Sequence, residues 1–290
     1  MHLRGALLAA ALALACAFGA TEAARAQTTA PSASPSPSPS ATPSGPSDPC
    51  GSLISIINRP EFTTSICTVQ TGHVALENGY NNLVITGPGG GNISSYPHSL
   101  LRFGTANPHF DVEIGPAFTN HSTAGGTVTN GWSDLGIGVK DENGYSARWL
   151  WGENAVLTIP TGSRAFTGGN TQFNGNFNWA YTVNPVLSFA GTMGFNANSA
   201  YNSGGVPQSY FAFTPSVEAV AALPGPSQIV AEYAYFSAAG PNLGSQSYYD
   251  FTYSRDLGAH VQVDAQYGFS PTLILGQKQH FVSFGLSFMN

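Results

Sequence analysis

The chain has 290 residues, and charged residues make up only 8% of them, against roughly 25% in soluble globular proteins. With a formal net charge of −6 and no basic patch, the sequence excludes nucleic acid as a partner. No apolar run after the N-terminus reaches the ~20 residues of a membrane helix, while glycine and aromatic residues are abundant. This combination favours a transmembrane β-barrel, whose apolar residues are spread over alternating positions; a soluble secreted β-protein is the alternative.

Residues 1–26 have the pattern of a secretory signal peptide. Arg4 precedes an apolar run over residues 6–18, and Ala24 and Ala26 form a small-x-small cleavage site. Residues 13–16 (ALAC) offer a lipoprotein site as the alternative, but they lack the usual leading Leu. Export to the outer membrane of a Gram-negative-type bacterium is therefore expected. Residues 27–49, rich in Pro and Ser, predict a disordered linker.

Cys50 and Cys67 are the two cysteines that remain after cleavage, and in an oxidising compartment they predict one disulfide. In the chain-entropy model, closing a loop of about 17 residues contributes ~3 kcal/mol. A metal site with His73 is the alternative, although two thiolates and one His leave no clear fourth ligand. Residues 50–72 are expected to form a cysteine-stapled periplasmic segment at the barrel mouth. Whether this segment plugs the barrel is left open by the sequence.

Residues 73–290 divide into twelve segments of alternating polarity, most of them near the ~9–11 residues that a tilted strand needs to cross a bilayer. The predicted strands are residues 73–84, 96–104, 109–118, 132–140, 145–159, 174–183, 186–195, 208–222, 227–236, 246–254, 258–269 and 279–288. Along the last, Phe284, Leu286 and Phe288 share one apolar face. Such an ending resembles the closing strand of outer-membrane barrels, so the barrel-assembly machinery is an expected partner of this strand.

Short and long connections alternate between these strands. Residues 105–108, 141–144, 184–185, 223–226 and 255–258 contain turn-forming residues, whereas residues 120–131 and 160–172 predict long loops. Short turns at one end and long loops at the other are typical of outer-membrane barrels. Glu153 falls in an apolar register, which predicts a turn at residues 152–154 or a bulge, and Pro215 predicts a kink or a shorter strand.

Charged residues collect in the register opposite the apolar one and are expected to line the lumen. The set is Glu77, Arg102, Asp111, Glu113, Asp134, Lys140, Arg148, Glu218, Glu232, Asp250 and Asp264; the candidate pathway residues among them are Arg102, Asp111, Glu113, Asp134, Lys140, Glu232 and Asp264. We expect Arg102 to pair with Glu113, and Lys140 to pair with Asp134 or Glu113. These pairs either fill a narrow barrel or line a path whose acidic bias favours cations or neutral polar solutes over anions.

The sequence contains no convincing catalytic constellation. His98 and His260 are not accompanied by a nucleophile elbow or by a Ser–His–carboxylate spacing, and no Gly-rich loop opens a helix. No enzymatic activity, metal or cofactor is expected.

Several motifs carry a family resemblance. Residues 99–104 (SLLRFG), 133–140 (SDLGIGVK) and 159–163 (IPTGS), with the closing strands at 246–288, resemble the outer-membrane transporter family named for the MetA pathway of phenol degradation. The resemblance spans residues 73–290 and puts Arg102, Asp134 and Lys140 at that family's charged motif positions, while Phe103 stands where Tyr is common. It implies a barrel of about twelve strands, related to fatty-acid and aromatic-hydrocarbon channels, that passes small hydrophobic or aromatic molecules.

Taken together, these features predict an all-β outer-membrane barrel of about 12 strands that passes small solutes through or into its lumen. Its expected partners are outer-membrane lipid and a small-molecule solute. The alternative is a structural or surface-interaction barrel with a plugged lumen, in which loops such as 119–131 and 160–173 make the contacts. Lumen size discriminates the two, because transport needs a continuous water path.

Overall fold

The computed structural model describes residues 49–59, 62–146, 148–202 and 204–290, and describes only the backbone of Tyr145 and Leu273. The predicted signal peptide, and all of the predicted linker except Pro49, lie outside the described residues. From Val74 onward, the described chain is almost entirely β-strand.

One short helix, α1 (Leu53–Ile56), precedes the strands. The strands are β1 (Val74–Thr86), β2 (Gly91–Tyr96), β3 (Leu100–Gly104), β4 (Phe110–Gly115), β5 (Thr119–Ala124), β6 (Thr127–Trp132), β7 (Leu135–Tyr145), β8 (Trp149–Ile159), β9 (Gln172–Thr182), β10 (Leu187–Tyr201), β11 (Pro207–Leu223), β12 (Ser227–Phe236), β13 (Gln246–Asp256), β14 (Val261–Ile274) and β15 (Gln277–Met289). Across the described ranges, no helix combines the length and the apolar character needed to cross a bilayer.

The strands form one antiparallel sheet that closes on itself, because β15 pairs with both β14 and β1. Three of the wall strands are interrupted. The first consists of β2 and β3, the second of β4 and β5, and the third of β6 and β7. The two parts of the first both pair with β1, β3 over Val74–Glu77 and β2 over Asn81–Ile85. The barrel therefore has twelve wall strands, which confirms the predicted fold class.

Polar and apolar side chains alternate along the wall, as the sequence predicts. On β15, Phe284 is 56% exposed whereas its neighbour Ser283 is 2% exposed. On β13, Phe251 is 55% exposed and Thr252 is 2% exposed. Because the large apolar residues face outward and the polar residues are buried, the polarity is that of a membrane barrel with a polar interior.

The two ends of the barrel differ. At one end, short connections join β3 to β4, β7 to β8, β9 to β10, β11 to β12 and β13 to β14. Strand β1 begins at this end and β15 finishes there. We call this the short-turn end; in outer-membrane barrels it is periplasmic. The opposite end carries the two longest connections, at residues 160–171 and 237–245, together with the connection between β10 and β11 and tight turns at residues 87–90, 125–126 and 275–276.

Two predicted connections differ from the structure. Residues 120–131, expected to be a long loop, form the hairpin β5–β6, which turns at Gly125 and Gly126 with φ of 56° and 81°. Residues 141–144, expected to be a turn, belong to β7, where the ladder to β8 shifts register between Glu142 and Gly144. The irregularity considered near Glu153 is thus present on the partner strand β7, and the connection to β8 comes after Tyr145.

Pro215 lies inside β11 without ending it. The ladder to β10 continues through the Met193–Pro215 pair, but the ladder to β12 stops at Ser216. The ladder to β12 stops next to Pro215 because proline has no backbone N–H to donate to it. The strand is neither shortened nor split.

Candidate functional site

Residues 50–72, apart from 60 and 61, lie against the inner face of the wall, and we call them the lumen segment. Cys50 and Cys67 form the predicted disulfide, with an S–S distance of 2.05 Å. Ile56 and Val69 are 1% and 0% exposed, and the apolar cluster around them includes Leu150 near the short-turn end. The segment is therefore inside the barrel at that end, rather than a separate element outside the mouth.

A buried ionic cluster on β1, β3, β4 and β7 faces the lumen segment; it consists of Glu77, Arg102, Asp111, Glu113 and Lys140. Arg102 is fully buried, and its Nη2 lies 2.7 Å from Asp111 Oδ2. Its Nη1 lies 3.4 Å from Glu77 Oε1, and its Nε lies 3.4 Å from Glu113 Oε1. Lys140 Nζ lies 3.7 Å from the same Glu113 oxygen. We call these five residues the Arg102 cluster; three carboxylates and two cations leave it close to neutral.

The lumen segment is hydrogen-bonded to this cluster through its backbone. The backbone N–H groups of Asn58 and Val69 donate to Glu77 and Asp111 over 3.0 and 2.9 Å. In the other direction, Arg102 donates to the carbonyl oxygens of Ile56 and Cys67.

The side chain of Asn58 completes the connection. Its amide donates to Glu113 over 3.3 Å, and its oxygen accepts from Lys140 over 2.6 Å. The cluster thus fixes both arms of the disulfide loop to the wall, and its charges gain the hydrogen bonds that buried ions require.

The opposite side of the lumen segment contacts β11 to β15. Glu232 accepts the backbone N–H groups of Phe62 and Thr63 over 2.8 and 2.5 Å. Arg59 donates to Ser283 over 2.9 Å, and its Nε lies 4.0 Å from Asp264. The segment is therefore held on both sides of the barrel.

Gly79 explains how Arg59 fits against the wall. A Cβ at Gly79 would overlap the guanidinium group of Arg59, so only glycine leaves room for this side chain beside β1. Gly104 has the same effect on β3, where a Cβ would overlap the carbonyl oxygen of Gln70.

The structure places six of the seven predicted pathway residues in the lumen: Arg102, Asp111, Glu113, Lys140, Glu232 and Asp264. The expected pairs Arg102–Glu113 and Glu113–Lys140 are present. Asp134 is the exception: it accepts backbone N–H groups of Gly162 and Gly168 over 2.8 and 3.0 Å. The break between β6 and β7 falls at residues 133–134, so Asp134 fixes a loop instead of joining Lys140.

Other residues also differ from the expectation. Arg148 was expected in the lumen but lies exposed in a turn, where it donates to the Tyr181 hydroxyl. Asp256 and Arg59 are buried lumen residues that the sequence reasoning did not select. Asp256 lies in the same alternating register as Asp250, so the sequence pattern could have placed it in the lumen. Arg59 lies outside the strands, and strand alternation therefore gives no information about its position.

A cavity of about 180 Å³ lies beside the lumen segment. Its lining combines the aromatic rings of Phe62, Tyr235 and Phe236 with amides and hydroxyls such as those of Asn176 and Thr192. Phe62 also stacks on Tyr248 with ring centroids 5.3 Å apart. A small solute with an apolar ring and a polar group would find both kinds of contact here.

The metal site considered with His73 does not form, since His73 bonds to the carbonyl oxygen of Asn290. Among the described residues, the group of possible metal ligands whose atoms lie within 4.8 Å of one another is Cys50, Cys67 and Glu142. Both sulfur atoms are bonded to each other, so neither is a thiolate ligand.

No protein-family model and no curated protein matches the chain. Solved structures do match it. The fold is that of an outer-membrane β-barrel. An outer membrane channel from Pseudomonas putida F1 matches with a TM-score of 0.58 and 12% identity, over 78% of this chain and 97% of that chain. The NanC porin matches with a TM-score of 0.50 and 8% identity, over 74% of this chain and 98% of that chain. At these identities the likeness concerns the fold.

Proposed function

We propose that this protein is exported to the outer membrane and is a channel for small solutes, with the lumen segment controlling passage. The observation that carries the proposal is that a separate segment, hydrogen-bonded to inward-facing residues on both sides, occupies part of the lumen. A segment held by hydrogen bonds and ion pairs can leave the lumen without breaking the pairing of any strands, whereas the side chains of the wall strands cannot.

The solute class follows from two supports. The cavity at Phe62 offers aromatic and amide contacts together, and the motifs at residues 99–104 and 133–140 resemble transporters of the MetA phenol-degradation family. Both favour small, partly apolar molecules such as aromatic compounds with one polar group. The outer membrane channel from Pseudomonas putida F1 and the NanC porin, which share the fold, are a channel and a porin by name.

A structural barrel is the second candidate, and the Arg102 cluster favours it. Five buried charged residues tie the segment to the wall, as they would in a barrel that never opens. Such a barrel would pass neither ions nor uncharged solutes in any form of the chain that keeps the segment.

Planar-bilayer conductance of the refolded protein tests the proposal. We would compare the chain from residue 27 with one that starts at residue 73 and with a matched control that starts at residue 49. Discrete conductance steps in the chain from residue 73, with smaller or rarer steps in the other two, are expected, because the first lacks the segment. Liposome uptake of phenol tests neutral solutes in the same three proteins. No steps and no uptake in all three, with a correctly folded barrel, would contradict the channel function.

A further inference from the structure

Five carboxylates line one side of the lumen, on β11 to β14. They are Glu218, Glu232, Asp250, Asp256 and Asp264, and we call them the acidic wall. Glu218 pairs across the ladder with Glu232, and Glu232 pairs with Asp250. Three carboxyl groups thus lie side by side on adjacent strands, an arrangement that is destabilising when the groups are charged, unless something else compensates it.

The described part of the chain places few positive charges beside these carboxylates. In the described part of the chain, one cation contacts the acidic wall: Arg59, whose Nε is 4.0 Å from Asp264. Arg102 and Lys140 are engaged in the Arg102 cluster on the other side. The remaining described Lys and Arg residues, which are Arg148, Arg164, Arg255 and Lys278, are exposed. Residues 60 and 61, which are not described, are Pro and Glu and add no cation.

Buried oxygen atoms without a hydrogen-bond partner are concentrated on the same strands. Asp250 is 1% exposed, and its Oδ2 has no partner among the described residues. Neither carboxylate oxygen of Asp264 accepts a hydrogen bond from the described residues, although Oδ2 lies 4.0 Å from Arg59 Nε, and the side chain of Asp264 is fully buried. The other partnerless side-chain oxygens on β13 to β15 belong to Thr252, Ser254, Asp256, Gln262 and Ser287. Native proteins rarely leave buried polar atoms unpaired, so these oxygens point to a polar occupant.

The carboxylates are too dispersed to chelate a bare divalent ion. In the described residues, no three of them bring their oxygen atoms within 4.8 Å of one another, as a tight metal site would. A row of spaced carboxylates and hydroxyls suits a partly hydrated cation of single charge, which exchanges between neighbouring oxygens.

We propose that the acidic wall is a binding surface for monovalent cations, and that it makes the channel select cations over anions. This inference rests on the proposed channel function and names the charge that the channel admits. Neutral solutes are not discriminated by the wall, and anions are repelled by it.

The test is the K⁺ to Cl⁻ permeability ratio, obtained from reversal potentials in a KCl gradient with the chain from residue 27. The variant is Glu218→Gln/Asp250→Asn, which removes two carboxylates and keeps the side-chain shapes. The matched control is Glu153→Gln/Asp141→Asn, which also removes two carboxylates, but from the outward-facing register; Glu153 and Asp141 are cross-strand partners. We expect a ratio above one in the parent and in the control. The variant should lower it by at least about fivefold, because a single unit charge about 4 Å from an ion in water already supplies that factor and the variant removes two.

A ratio near one in the parent, or no change in the variant, overturns the inference while the channel function stands. If the parent carries no current, phenol uptake still decides the channel function, and equilibrium dialysis of full-length, detergent-solubilised protein against radioactive Rb⁺ decides the inference by itself. Binding that the variant loses and the control keeps supports the wall; equal binding in all three overturns it. Glu218→Gln alone replaces the double variant if the latter lacks the gel mobility of a folded barrel.

Discussion

Arg102 is the residue on which the buried charges of the lumen depend. It is within 3.4 Å of a carboxylate oxygen of Glu77, Asp111 and Glu113, and it also binds two carbonyl groups of the lumen segment. Removing one partner from a buried group of ions strongly destabilises the folded state, because the remaining charges are left uncompensated in a low-dielectric site.

Arg102→Met should therefore destabilise the folded barrel by about 3–5 kcal/mol, as measured for broken buried ion pairs. The measurement is the urea concentration at which the unheated protein loses its folded mobility on a gel. Arg148→Met is the control, because Arg148 is exposed and its guanidinium donates to the hydroxyl of Tyr181 instead of to a buried carboxylate. Equal urea midpoints for Arg102→Met and Arg148→Met would show that the cluster does not stabilise the fold.

At this scale the sequence predicts the direction of most side chains, because strict alternation fixes the face of every residue in an unbroken strand. Arg102, Glu113 and Lys140 sit where alternation puts them. Asp134 was misassigned because the wall strand breaks beside it, and alternation does not carry through a break. Arg59 was missed because its segment has no strand period from which to infer its position.

The lumen segment is the element that depends most on a covalent constraint. Its one helix, α1, has four residues, far below the length at which a helix is stable in isolation. The disulfide joins residues 17 apart in sequence and closes nearly the whole segment into a loop. Without it, the order of the segment rests on its hydrogen bonds to the wall.

Cys50→Ser/Cys67→Ser should loosen the segment while leaving the wall strands paired. The free energy that stabilises the ordered segment is expected to fall by about 3 kcal/mol, the chain-entropy value for a loop of this length. Chymotrypsin cleavage after Phe62, followed by mass spectrometry, should become faster, whereas the gel mobility of the barrel should stay unchanged. Dithiothreitol should accelerate cleavage of the parent and have no effect on the serine variant. Equal cleavage rates for parent and variant would mean that the wall contacts alone order the segment.

For the elements, the sequence predicts number and order better than boundaries. All twelve wall strands are in the predicted order, since each carries its own alternating pattern. The hairpin β5–β6 was taken for a loop because its residues, such as Asn120, Thr123 and Asn130, are polar on both faces. A strand without an apolar face gives no periodic signal, so its pairing is visible only in the folded sheet.

At the scale of the whole molecule, wall and lumen segment form one unit. Six carboxylates each bond or pair with a group of the segment: Glu77, Asp111, Glu113, Glu232, Asp256 and Asp264. Removing the segment therefore leaves six carboxylates without these partners at once. The position of the segment was beyond the sequence, because it depends on contacts between residues up to about two hundred positions apart.

The chain that starts at residue 73 should accordingly melt at a lower temperature than the chain that starts at residue 49, which keeps every described contact. The measurement is the temperature at which the unheated gel mobility is lost, in the same detergent. The chain that starts at residue 27 should match the one from residue 49. A barrel from residue 73 that melts as high as the other two would show that the wall is stable independently of its contents.

The pairing of β1 with β15 sets the order in which this molecule is completed. Ala75 to Thr86 pair with Met289 to Lys278, so the seam joins residues more than two hundred positions apart and forms only after the last strand exists. Contacts of such sequence separation make folding slow. The lumen segment immediately precedes β1 and is crosslinked within itself, so it is attached to the first strand of the seam. Its contacts with β12, β14 and β15 need the same late strands, so the seam and half of the contacts of the segment form only after the C-terminal part of the chain is made.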